Sequence, residues 1–342
     1  MSSANGEQVD HGRDHPTNEP STTQHDPHQH ELMRAAARLG VTHCVVAGAP
    51  DTVAYTWGEH EVRVRKGRVF PSLSRAAEAL CDHKQRCKDA LDAIDVRTPA
   101  GLPFWSDDTD VEPRMAALLA ERAPLVCKPV DGTHGEGVAL DLRSAAAVLT
   151  HAQRHSPTRR EWVAESQHGG HDLRLQAIAG QLFAACMRVP AAVEGDGVQT
   201  VAQLLAARDA EVRALNPRNQ LTVDDEVRAL LAAQGLTLTC VPGAGLHVRL
   251  RQVANMAQGA RAIDVTDTLH PGWRATVARI AEHVGIAVFA VDARVTSAED
   301  PPHAGVVLEL NARPEWLHHT FSEGRQHDVG AALLRASLPG LP

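Results

Sequence analysis

Lys128 ends the apolar run Leu125-Val126-Cys127 and is followed by Pro129 and then by Asp131-Gly132-Thr133-His134-Gly135-Glu136-Gly137. A lysine on a strand ahead of a glycine-rich loop has the chemistry of a phosphate cradle. Gly132, Gly135 and Gly137 let backbone N–H groups approach phosphate oxygens, and an ammonium reaches between them as a compact charge. The chain holds only four lysines against thirty arginines, which singles out Lys84, at the start of a helical run, as a second phosphate contact. Lys66 and Lys88 read as a turn residue and a solvated helix face. The loop is not a Walker motif, because its lysine precedes the glycines and no Gly-Lys-Ser/Thr follows.

A second group is acidic. In Val306–Asn311, Glu309 and Asn311 are two apart, so on a strand they share a face. Asp292 closes the apolar run Ile286–Val291. If these strands are neighbours, Asp292, Glu309 and Asn311 converge as three oxygen ligands of the hard kind that holds Mg2+ beside phosphates. Arg174 and Arg188 lie on two strands joined by Ala179-Gly180, and Arg251 follows Val248-Arg249-Leu250. Any one of thirty arginines is an ordinary surface residue, so only position draws notice to these three.

The elements that must place these groups follow from periodicity and breakers. Strands are expected at Thr42–Val46, Leu125–Lys128, Trp162–Glu165, Arg174–Ala179, Gln181–Arg188, Val288–Val291 and Val306–Asn311. A further hairpin is expected from His60–Arg65 through Lys66-Gly67 to Arg68–Phe70. Helices are expected at Glu31–Leu39, Ser74–Leu80, Lys84–Ile94, Ser144–His155, Val201–Asn216, Glu226–Gln234 and Trp273–Val284. Hairpins mixed with helices argue for an α+β fold over a doubly wound parallel sheet. Residues 1–30 are polar and carry five histidines, His11, His15, His25, His28 and His30; they are expected to be a disordered tail.

The formal charge of −8 argues against a nucleic-acid partner. No apolar run approaches the roughly 20 residues of a membrane span, and no signal-peptide core begins the chain. Six cysteines without a Cys-x-x-Cys pair suit reduced thiols in a cytoplasm and argue against a zinc site.

Together these pieces resemble the ATP-grasp ligases, in particular the ATP-grasp modules of cyanophycin synthetases and of bifunctional glutathione synthetases. Trp57-Gly58-Glu59-His60 is similar to that family's entry segment, Lys84 to its first nucleotide lysine, and Lys128 through Gly135 to its second lysine and loop. Glu165, then Gly170-His171-Asp172-Leu173-Arg174, resembles the adenosine hinge and the strand after it. Arg188-Val189-Pro190-Ala191, Leu250-Arg251 with Asn255, and Asp264-Val265-Thr266-Asp267 continue the match, and Asp292, Glu309 and Asn311 fall at its magnesium ligands.

The resemblance implies two α/β lobes clamping ATP behind a preATP-grasp-like segment, with divisions at 1–30, 31–97, 98–165 (lid) and 166–342 (catalytic lobe). It implies an ADP-forming carboxylate–amine ligase using ATP and Mg2+, or Mn2+ in its place, on amino acids or small peptides, assembled as a homodimer or homotetramer. Lys84, Lys128, Gly132, His134, Gly135, Gly137, Glu165 and Arg174 would meet the nucleotide, Arg188 and Arg251 would be catalytic, and Ser74 and Asn255 would hold substrate. A glutathione-type tripeptide ligase, a phosphotransferase and a non-catalytic ATP-binding regulator are the alternatives. Departures from the family pattern are His83 for its usual Asp before the first lysine, Ala257-Gln258-Gly259-Ala260 for its Ser-Thr-Gly-Gly loop, and Glu315 for a glycine.

Overall fold

The computed structural model describes residues 26–108, 110–131, 137–156, 160–215 and 219–342. Residues 27–30 are helical despite the polarity of the segment, and the reading of 1–25 as a tail lies outside the described residues. Helix α1 spans Pro27–Leu39, so the expectation of a tail through residue 30 is corrected for 26–30. Asp26 caps it by accepting from His28 N, and Pro27 fills the first turn, where no intrahelical N–H partner is needed. The helix buries His28, Gln29, Leu32, Ala35 and Ala36 and ends at Gly40 in the left-handed conformation.

The meander that follows has order β1-β2-β3, with β1 at Thr42–Val46, β2 at Ala49–Trp57 and β3 at His60–Arg65. The main partner of β3 is β2, joined through Gly58-Glu59. Lys66-Gly67 does turn, but its return is a single bridge, Arg65 to Val69, rather than the expected strand. Helices α2 (Arg75–Cys81) and α3 (Lys84–Asp92) follow, the first capped by Ser74 Oγ and the second by His83 Nδ1. His83 thus performs the capping that the family's aspartate would supply.

A four-stranded antiparallel sheet comes next, in the order β4-β7-β5-β6. Its strands are β4 (Gly101–Trp105), β5 (Leu125–Pro129), β6 (Ala139–Leu142) and β7 (Glu161–Ser166). Helices α4 (Val111–Arg122) and α5 (Ala145–Arg154) cover it, and Phe104, Met115, Leu125, Val148 and Trp162 form its core.

The largest sheet is five-stranded and antiparallel, ordered β12-β9-β8-β13-β14. Strands β8 (His171–Ile178) and β9 (Gln181–Val189) turn at Ala179 and Gly180, both with positive φ (52° and 72°), as a tight two-residue hairpin requires. A side unit then interrupts the sheet. It contains β10 (Ala192–Glu194), α6 (Val201–Leu215), α7 (Asp225–Ala233) and β11 (His247–Arg249) and has its own apolar core.

The sheet resumes with β12 (Arg261–Asp264), β13 (Phe289–Val295) and β14 (Val306–Asn311). Helix α8 (Gly272–Val284) lays Trp273, Val277 and Ile280, spaced four and three apart, on Leu173, Leu175, Phe289 and Val291. Alternation along the strands leaves the opposite face polar.

Helix α9 (Val329–Ser337) packs against α1. The shared core joins Leu32, Val53, Trp316 and Leu334. His28 stands edge-on to Trp316, with Nδ1 2.7 Å from Asp26 Oδ1 and Nε2 2.7 Å from Glu315 Oε1. Glu315 therefore has a structural partner, which accounts for its replacing a glycine. Burial alone would lower the imidazole pKa, but Asp26 and then Glu315 outweigh it and raise the value above 6.5. A raised folded-state pKa gives stability that is complete below about pH 6.5 and is lost as pH rises through the folded value. Protection of the α1 amides from hydrogen exchange is expected to fall over that range in the native protein and to stay flat in His28→Gln. Equal pH slopes in the two would refute the linkage.

Candidate active site

Three of the four lysines meet at one place. Lys128, on β5, has its Nζ 2.5 Å from Glu165 Oε1, and Lys88 Nζ lies 3.0 Å from Glu165 Oε2. All three residues are buried. The reading of Lys88 as a solvated helix face is therefore wrong: it sits four residues after Lys84 on α3, on the same side of the helix. Room for it comes from Gly101 on β4, where an added Cβ would lie only 2.7 Å from Lys88 Nζ. Glu165 was expected to face adenosine, but its carboxylate is taken up as counter-ion to the two lysines. Burial opposes that charge, yet Lys128 and Lys88 hold its pKa below the ordinary carboxylate value.

Lys84 is also buried, and its backbone N–H donates to Val130 O at 2.9 Å, which ties the start of α3 to the end of β5. Burial lowers the pKa of its ammonium; Glu309 is the foremost charge acting the other way. The two lysines chosen from sequence are thus brought together, and Lys84 lies within the field of the acidic group. Gly137 has φ 70° and its carbonyl accepts from His151 Nε2 at 2.8 Å. Gly132, His134 and Gly135 lie outside the described residues.

Across the large sheet the register aligns Glu309, Asp292, Arg174, Cys186 and Asp264 in one row. Residues directly opposite one another share a face, so the row lies on the polar side. Asn311 Nδ2 donates to Asp292 Oδ2 at 3.0 Å and stands 3.5 Å from Glu309 Oε1. Asp292, Glu309 and Asn311 therefore converge, with Asn311 turning its Nδ2 toward the carboxylates where an oxygen ligand was expected. Two carboxylates and an amide on rigid strands fit a hard divalent cation in ligand chemistry.

Both arginines of the β8–β9 hairpin face Asp292. Arg174 NH1 contacts its two oxygens at 2.9 and 2.8 Å, and Arg188 NH2 lies 3.3 Å from Oδ1. Burial would raise the Asp292 pKa, but Arg174 and Arg188 hold it below the usual range. Arg174, expected at the nucleotide, is here the counter-ion of Asp292.

Three expected residues are engaged elsewhere. Arg251 is buried and paired with Asp224 at 2.7 Å and Glu226 at 2.9 Å, and it donates to Thr222 O at 3.0 Å. None of these partners belongs to the Asp292 group. Ser74 caps α2, and Asn255 caps a 3-10 turn by accepting from Ala257 N. Sequence reasoning missed Lys88, Gly101 and the histidine pair His318-His319, which follows β14 and is fully enclosed. Lysine scarcity combined with the i, i+4 spacing from Lys84 was the usable signal for Lys88.

The two sheets, with Lys128 on the four-stranded one, the carboxylates on the five-stranded one and Lys84 and Lys88 on α3, define an ATP-grasp fold. Among solved structures, a bifunctional glutathione synthetase from Pasteurella multocida superimposes with a TM-score of 0.69 at 22% identity, over 91% of this chain and 44% of that one. By sequence the chain is 30% identical over 295 residues to cyanophycin synthetase of Crocosphaera subtropica, covering 83% of this chain and 33% of that protein. It is 29% identical over 305 residues to the bifunctional glutathione biosynthesis protein of Mannheimia succiniciproducens, covering 85% and 39%. The chain thus spans roughly a third of the length of these curated relatives. No family model matches it. Among the described residues no helix is long and apolar enough to cross a membrane.

Proposed function

We propose that the chain is an ATP-dependent carboxylate–amine ligase that joins amino acids or small peptides, releasing ADP and phosphate. The observation that carries this reading is that α3, which bears Lys84 and Lys88, packs on β14, which bears Glu309 and Asn311, while the Lys84 N–H is tied to Val130 O beside Lys128, so the lysines and the carboxylates are neighbours. Lys84 and Lys128 bind the phosphates, with Gly132, His134, Gly135 and Gly137 as the covering loop. Glu165 borders the adenosine end and acts by orienting Lys88 and Lys128.

Asp292, Glu309 and Asn311 would hold Mg2+, or Mn2+ in its place, which supplies charge neutralisation at the phosphate oxygens. Substrate carboxylate oxygen attacks the γ-phosphorus and ADP departs, leaving an acylphosphate; the amine then attacks the acyl carbon and phosphate departs. Arg188 stabilises the charge that develops at the acyl oxygen, and Arg174 keeps Asp292 ionised and in place. Arg251, Ser74 and Asn255 act through the segments they anchor, at the substrate side of the cleft. The reading extends to a cytoplasmic homodimer or homotetramer without nucleic-acid or membrane partners.

A glutathione-type tripeptide ligase is the second reading, favoured by the likeness to the bifunctional glutathione proteins. The test is an ADP-release screen of the purified chain against paired amino acids and short peptides, with products read by mass spectrometry. An amide product formed with ADP and phosphate is expected. A phosphorylated product that never meets an amine would mark a phosphotransferase, and silence across all pairs would mark a non-catalytic binder. A product only from γ-glutamylcysteine and glycine would select the second reading.

A further inference from the structure

One buried cluster is not used by the ligase chemistry. Cys186 on β9, His318 and His319 place a thiol sulfur and two imidazole nitrogens within 4.8 Å of one another, and all three residues are buried. The two rings are tilted by 43° with centroids 4.6 Å apart. None of their four ring nitrogens has a hydrogen-bond partner among the described residues. Buried polar atoms are nearly always paired, and leaving four unpaired costs several kcal/mol in total. Neither the cavity bounded by Arg274 and Arg325 nor the one bounded by Arg97 and Arg294 is lined by these residues. A metal ion needs no cavity: ligand bonds of about 2.0–2.3 Å place donor atoms roughly 3.5–4 Å apart, a contraction of about an ångström from the spacing seen.

We propose that Cys186, His318 and His319 form a three-coordinate site for a monovalent thiophilic ion, for which Cu+ is the probe. One thiolate and two neutral imidazoles are the soft and borderline donors that favour copper and zinc over Mg2+. Charge decides between those two. The nearby guanidiniums of Arg174 and Arg188 are balanced by Asp292 and Asp172, His327 lies 2.7 Å from Asp264, and His28 lies between Asp26 and Glu315. A Cu+–thiolate unit adds no net charge to this enclosed place, whereas Zn2+ would add one positive charge and seek a fourth ligand.

Binding replaces the Cys186 S–H bond with an S–Cu bond and releases one proton to solvent, with no change of oxidation state. Burial keeps both imidazoles in the neutral, ligating form, with His319 lowered to about 3, and pushes the free thiol up to about 12. The unliganded cysteine is therefore inert until a metal arrives. Occupancy would pin the segment after β14 to the strand that carries Arg188.

The test uses the full chain with Cys44 and Cys240, the cysteines that are not buried, changed to Ser, and with His11, His15 and His25 changed to Gln to silence the tail. It is titrated anaerobically with Cu+ against a competing chelator. One Cu+ per chain is expected, with X-ray absorption reading one sulfur and two nitrogen donors. A further Cys186→Ser change is expected to weaken binding about 100-fold or more. His318→Gln should do the same, and it serves if the serine variant does not fold. Zn2+ should bind more weakly. Copper binding unchanged in the folded variants, a donor set without sulfur, no Cu+ uptake, or tighter Zn2+ binding would each overturn the proposal.

Discussion

Glu309→Ala is expected to lower Mg2+-dependent ATP turnover by about 100- to 1,000-fold, the usual loss when one preorganised charge-stabilising group is removed, with only a small loss of stability. The pairing of effects follows from its surroundings. Glu309 stands opposite Asp292 in the ladder, with Asn311 Nδ2 3.5 Å from its Oε1. Asp292 keeps its arginine partners Arg174 and Arg188 when Glu309 is removed, so the loss to the fold is limited to the support Glu309 gives Lys84. A group held at such a position is there for what it binds. The measurement is ADP release at saturating ATP over an Mg2+ titration, alongside a thermal melt. Turnover equal to the native chain would refute the metal assignment, and a large fall in melting temperature would make the residue structural.

Glu165→Gln should behave in the opposite way, with a loss of folding stability of about 3–5 kcal/mol, the cost of breaking a buried ion pair by removing one partner. Glu165 is 2% exposed and is the shared counter-ion of Lys88 and Lys128. A glutamine of the same shape leaves two ammoniums facing each other in an enclosed space. The deficit should be partly rescued by Lys88→Met, which removes the second charge and keeps the stem's packing. Urea denaturation of the three variants reads the effect. An unchanged midpoint in Glu165→Gln would mean that the lysines find other partners.

Much of the candidate site's geometry was legible because it depends on short-range rules. The alternation in Val306–Asn311 places Glu309 and Asn311 on one face, and an apolar run ending in Asp292 asks for a neighbouring strand. The Ala179-Gly180 turn also needs no information from elsewhere. What was not legible depends on distant partners or on breakers used at edges. Lys88 looked solvated because its counter-ion is 77 residues away and its space is made by a glycine on another strand. Strand β4 carries Gly101 and Pro103, which argue against a central strand but are tolerated here because β4 is the sheet's edge. Strand β2 was missed because Pro50 and Asp51 lie near its start. Helix α1 could have been extended from Asp26-Pro27, a cap followed by a first-turn proline, had the polar His28–His30 run not been weighed above it. The likeness to ATP-grasp modules supplied the expected roles that local patterns could not.

The core shared by α1, the β1–β3 meander and α9 has a kinetic meaning. Its members include Leu32 and Leu334, and Arg38 reaches Asp328 across 290 residues of chain. The meander can pair its strands early, since its turns are local. Its apolar side, with Val53, Tyr55 and Val64, has part of its cover from α1 and gains the rest when Trp316 and α9 arrive. Closing so long a loop costs entropy before any contact repays it. Assembly of this chain on the ribosome should therefore leave a sticky, half-covered meander waiting on a segment made 249 residues later, and a chaperone that shields apolar strands would act at that stage.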